Sequence, residues 1–202
     1  VIEFAAGNVV VWENDGVARI PVHRIYDTGS SISVSYSTSN INALAERDYT
    51  ATSGTLTWAD GEKSVQYIEV PILDNAETGD GTYQQFSIEL TDLSGGNAYL
   101  GKSTTLVTIL DDDLVDIPEN FIGIVTPMYF DTRVAEDAGS IVLNFARHLG
   151  SYGELSVQLS VDSVSNILNV GMAPDELPIL TTDTLVWGDG ETGVKSITLT
   201  IP

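Results

Sequence analysis

Carboxylates are the side chains in this sequence with the greatest capacity for chemistry. The chain has 29 acidic residues against 8 basic ones, for a formal net charge of −21. Asp111, Asp112 and Asp113 stand together directly after an alternating apolar segment. Because neighbouring side chains of an extended chain point to opposite sides, Asp111 and Asp113 would face one way and Asp112 the other. Such a run can serve one or two hard cations, although a solvated turn at a strand end has the same composition.

The groups needed for catalysis are scarce. The only histidines are His23 and His148, and cysteine is absent. His23 falls on the same side of a predicted strand as Arg19 and Pro21, so we interpret it as a solvated surface residue. No phosphate loop, nucleophile elbow or serine with an evident histidine partner is present. Two carboxylates can hydrolyse glycosides, but no pair stands out. We expect a protein that is not an enzyme.

The charge and the hydropathy limit the partners. A chain this acidic repels polyanions, which excludes nucleic acid as a partner. No apolar run approaches the roughly 20 residues that span a bilayer, so we expect no direct membrane insertion. The absence of cysteine excludes disulfides and thiolate zinc sites.

The sequence contains an internal repeat. Residues 56–62 recur as residues 185–191, identical at Leu, Trp, Asp, Gly and Glu, with an offset of 129 positions. Residues 13–16 match residues 136–139 with an offset of 123. The difference is typical of one module duplicated with a loop of altered length.

Short runs of alternating apolar residues fill both repeats, and polar turns separate them. Examples are Ile32, Val34 and Tyr36 in the first repeat and Leu155 and Val157 in the second. This pattern predicts an all-β fold of two tandem immunoglobulin-like antiparallel β-sandwiches. We place a complete first module at residues 1–113, a short linker at 114–120 and a second module at 121–202. Compared with the first repeat, the second lacks its C-terminal strands, which missing residues or another chain would have to supply.

An ordered set of residues in the first repeat resembles the Calx-beta domain family. The resemblance covers the first repeat completely and the second from about residue 121 onwards, and it rests on Glu13, the pair Asp48 and Tyr49, the hairpin 54–62, Asp74, the glycines 95–96 and the run 111–113. It implies a seven-stranded sandwich that binds Ca²⁺ at the end facing the next module.

The resemblance also implies the metal ligands, which separate loops contribute. By position they are Glu13, Asp48, Asp74, Asp111, Asp112 and Asp113, with Asn75 where the family often has a second Asp. Two extra residues follow Asn75, so Glu77 and Asp80 compete for one acidic role. These groups offer only oxygen, which favours Ca²⁺ over zinc or copper, and Mg²⁺ is disfavoured because it usually keeps its waters.

The second repeat does not predict a complete site. Glu136 and Asp137 stand at the first ligand position, but Leu177 occupies the place of Asp48. The loop carrying Glu136 and Asp137 could still lie near the junction between modules.

These observations predict a calcium-binding structural or interaction module. Ca²⁺ at the end of module 1 would order its loops and stiffen the junction, acting as a staple between neighbouring repeats of a surface or adhesion protein. A calcium sensor is a lesser alternative, favoured by micromolar affinity. By analogy with bacterial surface proteins that carry Calx-beta arrays, we expect an extracellular or cell-surface location.

An adhesin module is the other alternative, with an extracellular glycan or protein as its ligand and Ca²⁺ shaping the loops. Trp12, Trp58 and Trp187 are its obvious stacking residues. Since Trp58 and Trp187 occupy equivalent positions in a repeated hairpin, core packing explains them better.

Overall fold

The structure, a computed structural model, describes residues 1–26, 29–76, 83–113, 118–130, 139–159 and 183–200. Fourteen strands and one 3-10 turn, but no α-helix, occur in these ranges. The strands are β1 (Ile2–Phe4), β2 (Asn8–Trp12), β3 (Val17–Arg24), β4 (Ile32–Asn40), β5 (Ser53–Trp58), β6 (Gln66–Pro71), β7 (Gln84–Ser94), β8 (Thr104–Leu110), β9 (Ile124–Pro127), β10 (Tyr129–Phe130), β11 (Ser140–His148), β12 (Leu155–Leu159), β13 (Asp183–Trp187) and β14 (Gly193–Thr200). Nowhere in the described part of the chain is there a helix that could cross a membrane.

The chain divides into two compact units, each a β-sandwich of the immunoglobulin-like type. The first comprises Val1–Val115 with Tyr129–Arg133, and the second comprises Asp116–Met128 with Val134–Pro202. The division differs from the predicted module boundaries at residues 129–133. These residues group with the first unit because β10 pairs with β2.

Two sheets form the first unit. One has the order β1-β3-β6, and the other has the order β10-β2-β8-β7-β4-β5. The first strand of the sandwich is split: β1 pairs with β3, and the chain then crosses to the other sheet, where β2 pairs with β8 in parallel. The crossing segment includes Ala5 and Ala6, each 2% exposed, whose small side chains fit between the sheets. Among the named strands of this unit, the pair β2–β8 is the one that departs from the predicted antiparallel pattern.

Alternation of apolar side chains builds the core of the first unit, as predicted. Ala18, Ile20 and Val22 of β3 face it and are almost fully buried. Phe86 of β7 stacks on Tyr49, with ring centroids 4.0 Å apart. Strands with a period of two place every second side chain on one face, so the pattern alone determines which face is buried.

The second unit has a three-stranded sheet, β14-β11-β9, and the two-stranded ladder β12-β13. Its repeated hairpin matches that of the first unit in detail. The indole nitrogen of Trp58 donates to the carbonyl of Ser64 (2.8 Å), and that of Trp187 donates to Gly193 (2.9 Å). Both rings have 0% exposure, and Trp12 has 5%. All three tryptophans therefore belong to the cores.

A buried arginine clamps the same hairpin in each unit. Arg24 donates to the carbonyls of Ala59 (2.9 Å) and Ser30 (2.6 Å). Its equivalent Arg147 is 0% exposed and donates to carbonyls of Ile122, Tyr152, Gly153, Gly188 and Glu191. A guanidinium has five donors in a rigid fork, so it can satisfy several loop carbonyls that water cannot reach.

Replacing Arg24 with Met should destabilise the first unit by about 2–3 kcal/mol, because buried carbonyls lose a charged donor. Arg19→Met is the matched control on the same strand: Arg19 is exposed and pairs with exposed Glu69 (3.1 Å), so its loss should cost under about 1 kcal/mol. Urea unfolding followed by tryptophan fluorescence measures both. Equal losses in the two variants would contradict the clamp.

Candidate metal centre

Ends of four strands meet at one end of the first unit. Since β2 and β8 run in parallel, the turn after β2 and the acidic run after β8 lie side by side. The end of β6 joins them, because the amide of Ile72 donates to the carbonyl of Gly16 (3.0 Å). The loop after β4 is tied to the same region by a bond from the amide of Leu73 to the carbonyl of Asp48 (3.0 Å). Segments far apart in sequence therefore supply one cluster.

A 3-10 turn, Glu13–Asp15, carries the central carboxylate. Asp15 accepts a hydrogen bond from the amide of Trp12 (2.9 Å), which closes the turn, and Gly16 ends it with φ +75°. A left-handed residue here favours glycine. Glu13 is consequently directed inwards and is only 5% exposed.

Five predicted ligands come together, with Glu13 at their centre. It forms one group with Asp74 and Asp112 and another with Asp111 and Asp113, and within each group one oxygen of every residue lies within 4.8 Å of the others. The alternation expected along the acidic run is therefore observed, since Asp112 belongs to one group and its two neighbours to the other. Glu13 is the carboxylate common to both.

The cluster has more acceptors than donors. The amide nitrogen of Asn75 donates to Glu13 Oε2 (2.9 Å), and that of Asn14 donates to Asp112 Oδ2. Three buried carboxylate oxygens have no hydrogen-bond partner in the protein, namely Glu13 Oε1, Asp112 Oδ1 and Asp113 Oδ2. Buried acceptors without donors are costly, and a bound cation would remove that cost.

Mutual repulsion and burial perturb the titration of these groups. Burial raises the pKa of Glu13 to about 7, with further contributions from a hydrogen bond with Asp111 and from its charge. The pKa of Asp112 is also raised, first by burial and then by the charges of Asp74 and Asp113. Both shifts show that the site disfavours its own negative charge when no cation is bound.

Asp48 has a different environment from the other predicted ligands. It is 6% exposed and is absent from both carboxylate groups of the described residues. Nε and Nη2 of Arg47 donate to its two oxygens at 2.9 Å each, and the amide of Leu44 donates at 2.6 Å. Asp48 is thus satisfied by protein donors, and a metal would have to displace Arg47 to bind it.

Four other predicted site residues cannot be compared with the structure, and one residue of the cluster was not predicted. Glu77, Asp80, Glu136 and Asp137 lie outside the described residues. Asn14 was missed, although its position next to Glu13 in the same turn was a usable signal.

The interpretation of His23 as a solvated residue was wrong. It is half-buried on β3 opposite Glu3 of β1, and this burial lowers its pKa.

Comparison with known proteins identifies related sequences. The family model for the Calx-beta domain matches residues 1–113 and also 101–144. The chain is 26% identical over 195 residues to adhesion G-protein coupled receptor V1 of Danio rerio, covering 96% of this chain and 3% of the receptor. It is 35% identical over 117 residues to integrin beta-4 of Mus musculus, covering 55% of this chain and 6% of the integrin. The chain thus spans only a few per cent of the length of these relatives.

Solved structures with a similar fold extend the comparison. The apo-form Calx CBD1 domain matches with a TM-score of 0.50 and 28% identity, covering 55% of this chain and 98% of that one. The calcium binding domain CBD12 of CALX1.1 matches with a TM-score of 0.53 and 24% identity, covering 99% of this chain and 75% of that one. At 24% identity, the second match shows similarity of fold.

In chelator, the melting temperature should fall by several degrees between pH 5 and pH 8. A carboxyl with a raised pKa stabilises the fold while protonated, and this contribution is lost as pH rises through about 7 for Glu13. Glu13→Gln should flatten the profile, whereas Glu89→Gln, an exposed change on β7, should not. His23, whose pKa is lowered by burial, contributes the opposite trend over part of this range, so the comparison between variants decides. An unchanged slope in Glu13→Gln would contradict the assignment.

Proposed function

Because the chain belongs to the Calx-beta domain family, we propose that its first unit binds Ca²⁺ at the cluster around Glu13 and that the ion orders the loops at this end. The protein acts as a structural or interaction module, with no catalytic step. The observation that carries the proposal is the two sets of three carboxylates that share Glu13, together with the three buried carboxylate oxygens that lack hydrogen-bond donors.

The ligand chemistry favours calcium. Ca²⁺ takes six to eight oxygens in flexible geometry, and the five clustered carboxylates supply up to ten. The amide oxygen of Asn75 is a neutral candidate beside them, and Glu77 or Asp80 remains a proposed ligand. Asp48 joins the site if Ca²⁺ replaces the guanidinium of Arg47, which makes Arg47 an internal competitor for that carboxylate. The similar CBD12 of CALX1.1 is itself a calcium binding domain, which supports the same ion.

The ion would act as a staple. A ligand that binds only the folded state adds RT ln(1 + [L]/Kd), or about 2.7 kcal/mol at a hundredfold excess over Kd. Here it would also offset the burial and the repulsion that raise the pKa of Glu13 and Asp112. The stabilisation by Ca²⁺ should therefore increase as pH rises through about 7, where Glu13 becomes ionised.

The same ion would stiffen the junction between the units. Asp111, Asp112 and Asp113 lead directly into the predicted linker 114–120. Holding them on Ca²⁺ would restrict the backbone where it leaves the first sandwich. We propose neighbouring repeats as partners and an extracellular or cell-surface location, which the likeness to an adhesion receptor and an integrin supports. A sensor role would require an affinity in the signalling range.

Calcium should raise the melting temperature of the first unit by about 10 °C at a hundredfold excess over Kd. Mg²⁺ at equal concentration should give a much smaller rise, because it dehydrates reluctantly. The double change Asp111→Asn with Asp112→Asn should abolish the calcium effect. The matched control is Asp60→Asn with Asp92→Asn, which removes the same charge from an exposed turn and from an exposed position on β7. No shift at millimolar Ca²⁺, or an equal loss in the control, would refute the site.

Double electron–electron resonance between two spin labels measures the stiffening of the junction separately. The chain has no cysteine, so Ser37→Cys on β4 and Ser156→Cys on β12, both exposed, give two unique labels. Ca²⁺ should narrow the distance distribution, and the Asp111→Asn and Asp112→Asn background should prevent this. A calcium-dependent rise in melting temperature with an unchanged distribution would show a staple confined to the first unit.

A further inference from the structure

The loop between β4 and β5 holds a charged pair, Arg47 and Asp48, beside the carboxylate cluster. The amide of Thr50 donates to the carbonyl of Pro71 (2.9 Å), which fixes the end of this loop against β6. The amide of Leu73 donates to the carbonyl of Asp48 (3.0 Å), and the residue after Leu73 is Asp74, a member of the cluster. The side chain of Asp48 therefore starts close to the cluster, although its oxygens belong to neither of the two carboxylate groups.

A tight turn brings the two charges together. Side chains of adjacent residues in an extended chain point to opposite sides. Here Nε and Nη2 of Arg47 both donate to the carboxylate of the next residue, Asp48, at 2.9 Å each. Glu46, directly before them, has φ +66°, in the left-handed region that residues other than glycine rarely adopt, and its amide donates to the carbonyl of Tyr49 (2.7 Å). The turn thus places a guanidinium on Asp48 despite local backbone strain.

The two partners differ in their exposure to water. The side chain of Asp48 is 7% exposed, whereas that of Arg47 is 55% exposed. A buried carboxylate without a positive partner is costly, but a guanidinium that is already half in water loses little when it is released. The amide of Leu44 also donates to Asp48 (2.6 Å) and anchors the carboxylate independently of Arg47. Arg47 is therefore the partner that another cation can replace.

We propose that Arg47 regulates the calcium site by occupying Asp48 until the ion binds. Ca²⁺ then takes over an oxygen of Asp48, and the guanidinium of Arg47 turns to solvent. Breaking the ion pair opposes binding, so Arg47 lowers the affinity of the site for Ca²⁺. Because one loop carries both residues, the exchange also transmits calcium binding to the connection between β4 and β5. This regulation rests on the proposed function and assigns to Arg47 the control of its affinity.

Calorimetric titration of the full chain with Ca²⁺ tests the exchange. Arg47→Gln should bind Ca²⁺ about fivefold more tightly than the wild type, the ratio that corresponds to an ion pair with one exposed partner. Arg47→Lys keeps the charge but not the fork that reaches both oxygens, so its affinity should lie between the two. Lys63→Gln is the matched control, since it removes the same charge from an exposed position in the hairpin between β5 and β6, and it should leave the affinity unchanged.

A double-mutant cycle separates competition for Asp48 from simple repulsion between Arg47 and the ion. Asp48→Asn should weaken calcium binding, because a charged ligand is lost. In this background the change Arg47→Gln should no longer tighten binding, because the carboxylate for which Arg47 competes is gone.

Melting curves give a readout that a purely structural role of Arg47 would not produce. In chelator, Arg47→Gln should melt below the wild type, because buried Asp48 loses its partner. At saturating Ca²⁺ the difference should shrink or reverse, because the ion has replaced the guanidinium in both proteins. A structural role would lower the melting temperature equally in both conditions and would overturn the exchange.

The titrations distinguish failure of the exchange from failure of the calcium site. If the wild type binds Ca²⁺ and Arg47→Gln binds it no more tightly, or if Lys63→Gln tightens binding as much, the exchange is overturned and the site stands. Equal tightening by Arg47→Gln in the Asp48→Asn background also overturns it, since Arg47 then acts by repulsion alone. Absence of calcium binding in both the wild type and Arg47→Gln would refute the proposed function and the exchange together.

Discussion

Burial of alternate side chains between two sheets is the constraint on which the rest of the first unit depends. Once Ile20, Ile68, Phe86 and Val107 face one another, the register and the ends of their strands are determined. Loops that are distant in sequence must then meet at the two ends of the sandwich. One end receives the carboxylates. The core itself has no part in ligand chemistry, but it decides which groups become neighbours.

The carboxylate end is a place where folding and charge oppose each other. Glu13 is buried beside Asp111 and Asp112, and repulsion and lost hydration both raise its pKa. The calcium-free sandwich tolerates this arrangement because the core stabilises the strand ends that carry these groups. Under the proposed function, a cation would convert the same crowding into attraction, and one set of residues would then account for both the repulsion without the ion and the affinity towards it.

The two units repeat more than a hydrophobic pattern. Each has a fully buried tryptophan whose indole nitrogen bonds a carbonyl of its own hairpin, and each has a buried arginine bound to the residue after that tryptophan. These polar contacts fix loops that apolar packing alone would leave loose. In the first unit, Arg24 also donates to the carbonyl of Ser30, at the start of β4.

The sequence by itself determined the all-β class, the duplication and most of the carboxylate cluster. Period-two alternation indicates which side chains are buried. The same alternation indicates that Asp111 and Asp113 lie on one side of the chain and Asp112 on the other. Only the tertiary structure decided that Asp48 pairs with Arg47, that Asn14 joins the cluster, that His23 is half-buried and that β10 belongs to the first unit. The reason is that these outcomes depend on contacts between segments far apart in the chain, for which a local pattern carries no information.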